Sequence, residues 1–172
     1  MSVNLRIWIA VVALLPFGNP SLYASHSLKP SQKSAVAAWL SEHPGYRLAE
    51  DRDCACDEGI QVIRAGSGGV WKPVPDYHPY VASGDFNGDG VVDFAVVVIS
   101  TIKEKDFTLL VFNGPVDVRH PDPAFMYQHR DLTRTGLFYG PPRPKPYRLL
   151  IGPFESEGLV LQPRGKTYRL VE

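Results

Sequence analysis

Cysteine is nearly absent from this chain: Cys54 and Cys56 are the only two in 172 residues. A disulfide-dense scaffold and a multi-thiolate metal cluster are therefore both excluded. Net charge is missing as well. Eighteen Lys and Arg residues balance eighteen Asp and Glu, which removes any global attraction to nucleic acid or an anionic membrane. The apolar run from Ile7 to Leu15 falls short of the roughly 20 residues a spanning helix needs. Catalytic signatures are lacking too. There is no Gly-x-Ser-x-Gly elbow, phosphate loop or dinucleotide fingerprint, and "AGSGGVW" at 65–71 lacks the lysine and following helix of a phosphate cradle, so it reads as a hairpin connection. His26, His43, His78, His120 and His129 show no zinc-protease spacing.

What is present begins with a secretory signal. Arg6 precedes the apolar run, and Pro16, Gly18 and Pro20 break it. Leu22 and the small Ala24 place cleavage between Ala24 and Ser25; no cysteine follows the run to accept a lipid. Residues 1–24 are thus expected to be a signal peptide and 25–172 a single mature domain in the periplasm or outside the cell. Losing Arg6 leaves that domain with one net negative charge.

Within it, "KPSQKSAVAAWLSEHPGY" carries helical spacing at Val36, Trp39 and Leu40, with Ser31 able to cap and His43-Pro44-Gly45 to stop it. From Tyr46 onward, short runs of Val, Ile, Tyr and Phe alternate with Gly, Pro, Asp and Asn. This grammar predicts strands near 46–49, 59–64, 79–84, 92–100, 107–113, 136–139, 147–152, 157–162 and 166–171. Phe94–Ser100 is apolar on both faces, as a central strand would be. The last two strands form a hairpin turning at 163–166, with Leu159, Leu161, Tyr168 and Leu170 on one face. Residues 115–146 are proline-dense and read as a surface excursion or a cover over the sheet. The expected fold class is α+β, a mainly antiparallel β-sheet with one N-terminal helix after the signal peptide.

The chemistry concentrates in "GDFNGDGVVD" at 84–93, where Asp85, Asn87, Asp89 and Asp93 crowd beside a buried strand. A hard cation such as Ca²⁺ takes six to eight oxygen ligands, and Asp85, Asn87 and Asp89 at alternate positions of a curled loop can turn three side-chain oxygens inward. Gly88 and Gly90 permit the left-handed backbone that such a loop needs. The Val91 carbonyl supplies a further oxygen and Asp93 the closing carboxylate. An EF-hand is excluded, because its twelfth loop position would be Val96 rather than a bidentate glutamate. A plain Asp/Asn/Gly turn needs no ion. It leaves the spacing of Asp93 and the crowding of carboxylates without a reason, and a divalent ion relieves that repulsion.

Residues 80–100, "VASGDFNGDGVVDFAVVV" at their heart, resemble the FG-GAP or VCBS repeat, whose Asp-x-Asn-x-Asp-Gly-x-x-Asp calcium loop joins two strands. The resemblance implies Ca²⁺ held by the side chains of Asp85, Asn87, Asp89 and Asp93 and the backbone of Val91. Its usual setting is a propeller of several four-stranded blades. One copy of the motif in a chain this short predicts the loop without a complete β-propeller.

The remaining features are less specific. In an exported protein Cys54 and Cys56 first suggest a Cys-x-Cys disulfide in a bent turn; free thiols, intermolecular bonds and a thiolate metal or redox site are the other readings. Asp76, Glu104, Asp106, Asp122, Glu155 and Glu157 are expected on a solvated surface. Trp71, Tyr77, Tyr80, Phe125, Tyr127, Phe138 and Tyr139 near proline turns suit either a contact surface or a cover over the core. Together these point first to an exported calcium-binding module that binds another extracytoplasmic protein. The alternatives are a periplasmic hydrolase of unrecognised type with a structural calcium, and an inhibitor or immunity-type protein.

Overall fold

The computed structural model describes residues 27–67, 72–140, 145–154 and 157–172, so the expected signal peptide lies outside the described residues. The elements run α1 (Pro30–Glu42), β1 (Tyr46–Leu48), α2 (Asp51–Cys54), α3 (Asp57–Ala65), β2 (Val81–Gly84), β3 (Asp93–Ser100), β4 (Phe107–Phe112), β5 (Phe125–Arg130), β6 (Thr135–Phe138), β7 (Leu150–Pro153), β8 (Leu159–Arg164) and β9 (Thr167–Val171). Two antiparallel sheets result. The first has the order β1-β3-β4-β5, with β2 also on β3; the second runs β6-β7-β8-β9.

The side-chain period of two explains how four layers stack. On β3, Ala95, Val97 and Ile99 point into a core shared with Phe107, Leu109 and Val111 of β4 and with Leu137, Ile151 and Leu161 of the second sheet. The alternate residues Phe94, Val96 and Val98 meet Ala35, Val36 and Trp39 of α1 on the opposite face. The outer face of the second sheet is closed in turn by Ile60 and Ile63 of α3 against Phe138 and Leu150. The layers are therefore α1, first sheet, second sheet, α3. Strand β3 is apolar on both faces because both are covered.

One side of β3 is shared between two short strands. Residues 46–48 pair with 100–98 and residues 81–84 with 96–93. Val97 serves both: its carbonyl accepts from Ala49 N–H and its N–H donates to the Tyr80 carbonyl, each at 3.0 Å. Between these contacts the chain leaves to form α2 and α3. Arg64 of α3 pairs with Asp51 of α2 at 2.6 Å and donates to the Tyr77 carbonyl, while Asp51 also pairs with His78 at 2.9 Å.

Several expectations need correction. The segment read as a strand at 59–64 is helical, so the protein has more than one helix. Ile60, Val62 and Ile63 are β-branched, but Asp57 and Glu58 in the first turn, Arg64 in the last and Gly66 closing in the left-handed region at φ 68° complement a helix. Ser31 does not cap α1. The helix starts at Pro30, and the Gln32 side chain accepts the Lys29 N–H at 2.8 Å. The proline-dense stretch holds a strand that its composition concealed: β5 pairs with β4 along the edge of the first sheet. The terminal hairpin keeps its expected face, with Leu161 opposite Leu170, but its turn is only Gly165-Lys166; Pro163 and Arg164 stay in register with Tyr168 and Thr167.

Candidate functional site

The loop between β2 and β3 is wound by its own side chains. Asp85 Oδ1 accepts the N–H groups of Gly88 at 2.6 Å and Asp89 at 3.0 Å, and its Oδ2 accepts Gly90 N–H at 2.9 Å. Asn87 Oδ1 accepts Asp89 N–H, Asp89 Oδ1 accepts Val91 N–H, and the Asn87 amide donates to Asp89 Oδ2 at 3.0 Å. Gly88 and Gly90 sit at φ 85° and 84° with open space where a Cβ would be. They are required by backbone conformation rather than by crowding.

Asp93 stands apart from these three. It is the first residue of β3, fully buried, and accepts from Phe86 N–H on Oδ2 and Gly114 N–H on Oδ1, both at 2.9 Å. Burial pushes its carboxyl above the ordinary range, and the two backbone donors pull the other way. The Tyr168 hydroxyl lies 2.6 Å from Asn113 Oδ1 and 3.2 Å from Asp93 Oδ2, with one proton for two acceptors. Burial and then the negative charge of Asp93, with smaller contributions from Asp89 and Asp85, hold the Tyr168 hydroxyl far above the usual phenol range. All three carboxylates thus act on one buried tyrosine.

The expected ligand set is divided accordingly. Asp85, Asn87 and Asp89 are drawn into one loop, and Val91 follows with its side chain exposed. Asp93 closes the loop from beneath, within the core. Among the described residues no group of three or more His, Cys, Asp or Glu side chains is gathered in a metal-holding arrangement. The donor set is nonetheless all oxygen, the chemistry suited to Ca²⁺ or Mg²⁺ and not to thiolate-seeking metals. A carboxylate has about four lone-pair positions, so the loop carboxylates keep acceptor capacity beyond the backbone bonds they make.

Contacts that the sequence did not foretell complete the surroundings. Tyr139 donates to the Asp85 carbonyl at 2.7 Å, and the Asn113 amide donates to the Lys166 carbonyl at 2.9 Å. The second ties the β8–β9 turn to the chain after β4. A cleft of about 390 Å³ lies between Asn87–Asp89, Asn113–Gly114 and Gly165–Lys166. These partners lie 53 to 75 residues apart along the chain, so local spacing carried no signal for them.

Cys54 and Cys56 are bonded to each other across the short link between α2 and α3. Tyr77, Tyr80, Phe138 and Tyr139 lie in the core; Trp71 and Glu155 fall outside the described residues. His43 stacks on Trp39 at 3.9 Å, a helix-end role. No family model matches the chain, and no curated protein or solved structure matches it.

Proposed function

We propose that the protein is an exported calcium-binding module in which Ca²⁺ fixes the 85–93 loop and thereby the cleft beside it, where an extracytoplasmic protein binds. The observation that carries this reading is the loop itself: Asp85, Asn87 and Asp89 at alternate positions of a backbone wound left-handed at Gly88 and Gly90. Asp85, Asn87, Asp89 and Asp93 would hold the ion by side-chain oxygens and Val91 by its carbonyl, as in the FG-GAP and VCBS repeats that residues 80–100 resemble.

The ion would supply positive charge to the loop carboxylates Asp85 and Asp89 and to the buried Asp93, offsetting both their repulsion and the burial of Asp93. Its effect would reach the cleft through short links, from Asp93 to Gly114 N–H and from Asn113 to the β8–β9 turn. Export is supported by the Arg6-led apolar run with Ala24 behind it, and by a disulfide, which persists in oxidising compartments. Among the described residues no helix is long and apolar enough to cross a membrane.

Calorimetric titration of residues 25–172 with CaCl₂ tests the reading. One site per chain with a matching rise in melting temperature is expected. No heat and no thermal shift would overturn the calcium site. Affinity capture from a periplasmic extract with calcium and with chelator tests the partner, which should be retained only with calcium. Capture of nothing specific in either condition would overturn the binding role while leaving the ion site standing.

A further inference from the structure

The Cys54–Cys56 disulfide uses no residue of the calcium loop, and its two ends differ. Cys54 is wholly buried within the core shared by the two sheets. Cys56 is only partly buried and lines an open cavity of about 510 Å³ with Val62, Pro153 and Phe154 among its walls. The two residues are separated by Ala55, which takes the left-handed region at φ 52°. A bridge across one intervening residue closes a very small loop, so it removes little entropy from the unfolded chain and is a poor device for stability.

The surroundings differ in kind as well. Cys56 is the residue from which the nine-residue helix α3 starts. A thiolate there faces the positive end of the helix dipole. Arg134 lines the same cavity, as do Asp57 and Glu58 of opposite sign, so the entrance is polar and mixed in charge. Cys54 Sγ lies 3.8 Å from the Thr135 carbonyl oxygen, an acceptor already in place for a buried thiol.

We infer that Cys54–Cys56 is a thiol–disulfide exchange site, entered at Cys56 from the cavity beside α3, and that its substrate class is a dithiol. One thiolate of the dithiol attacks Cys56 Sγ; the sulfur–sulfur bond breaks, and the Cys54 sulfur leaves with the electron pair, takes the proton that the dithiol's second thiol gives up, and donates to the Thr135 carbonyl. The second thiolate of the dithiol then attacks the dithiol's own sulfur in the mixed disulfide, releasing Cys56 as a thiolate at the start of α3. Two electrons pass to the protein, and the dithiol becomes a disulfide.

The test uses residues 25–172 purified in the oxidised form, with dithiothreitol as the dithiol and glutathione as the mapping probe. Millimolar dithiothreitol without denaturant should open the disulfide, with the far-ultraviolet circular dichroism unchanged. A bond that stays closed until the protein is denatured, or whose opening unfolds it, would overturn the proposal. Mass mapping of the glutathione adduct on the wild-type chain should find it on Cys56, whereas an adduct on Cys54 would overturn the side of entry. Cys54→Ser should react with oxidised glutathione at least about tenfold faster than Cys56→Ser, whose remaining thiol is buried. Equal rates in two folded variants would count against the proposal, and if either variant fails to fold, the wild-type mapping decides.

Discussion

The Tyr139 hydroxyl donates to the main-chain carbonyl of Asp85 at 2.7 Å, although the two residues are 54 positions apart. Tyr139 directly follows β6 of the second sheet, and Asp85 directly follows β2 of the first. The bond therefore pins the start of the candidate calcium loop to the opposite sheet. Tyr139→Phe should lower stability by about 1 kcal/mol, the usual net worth of one internal hydrogen bond. The midpoint of a urea titration should fall with its slope unchanged. An unaltered midpoint would mean that the loop is not anchored there.

Asp89 lies at the exposed tip of the same loop, and its hydrogen bonds run to neighbours within it. Its removal should be nearly silent without calcium and costly with it. In wild type, calcium in hundredfold excess over its dissociation constant should add about 2.7 kcal/mol, and Asp89→Ala should lose this gain. Thermal melts with calcium and with chelator read the difference; identical shifts in the two proteins would remove Asp89 from the ligand set.

Two glycines in this region should fail for different reasons. A Cβ on Gly84 would collide with the Tyr139 ring, which the Asp85 carbonyl and the neighbouring Phe86 ring at 5.1 Å hold in place. Gly84→Ala should cost about 1–3 kcal/mol by overpacking, with or without calcium. Gly90 has open space around it but sits at φ 84°; Gly90→Ala should cost roughly 1–2 kcal/mol as backbone strain and weaken calcium binding. Denaturant titrations paired with calcium titrations separate the two effects.

Acid should release one defined interaction. Arg47 donates twice to Asp53, both bonds at 2.7 Å, and this pairing, aided by the Glu50 N–H, holds the Asp53 carboxyl below its ordinary range. Its contribution is complete above the unfolded-state value of about 3.9 and is lost as pH falls through the lower folded-state value. Because the Arg47 side chain is 40% exposed, the gain should stay under about 1 kcal/mol. Asp53→Asn should be slightly less stable at pH 7, and its deficit should vanish in strong acid. A deficit independent of pH would assign the loss to packing instead.

The central strand was legible because its composition states its environment: every residue from Phe94 to Ile99 is apolar, and every one is buried. The loop was legible because its chemistry is local, with the Asp85 side chain accepting from the N–H groups of Gly88, Asp89 and Gly90, at most five residues on. Helix α3 was misread because Ile60, Val62 and Ile63 favour strands by β-branching, while the spacing that decides the matter, Ile60 to Ile63 on one face, spans a single turn. Strand β5 was obscured because an edge strand packs on fewer neighbours, and its sequence "FMYQHR" lacks a clean alternation. The contacts of Tyr168 with Asp93 and Asn113 depend on how the second sheet folds over the first. No spacing rule along the chain encodes that.

The shared side of β3 has a consequence for how the chain can vary. Because Ala49 and Tyr80 both bond to Val97, β1 and β2 act as one strand cut at that point, and everything between them is spliced into the cut. That insert carries α2, the cysteine pair and the helix covering the second sheet. The register of β3 is set by its ladders with β1, β2 and β4, yet the insert is not free to vary, because Cys54 is buried in one core with Ala95, Val97 and Ile99. The candidate calcium loop follows β2 across the cut and shares that core through Phe86 and Tyr139, so a change in the insert reaches it by packing rather than through the ladder.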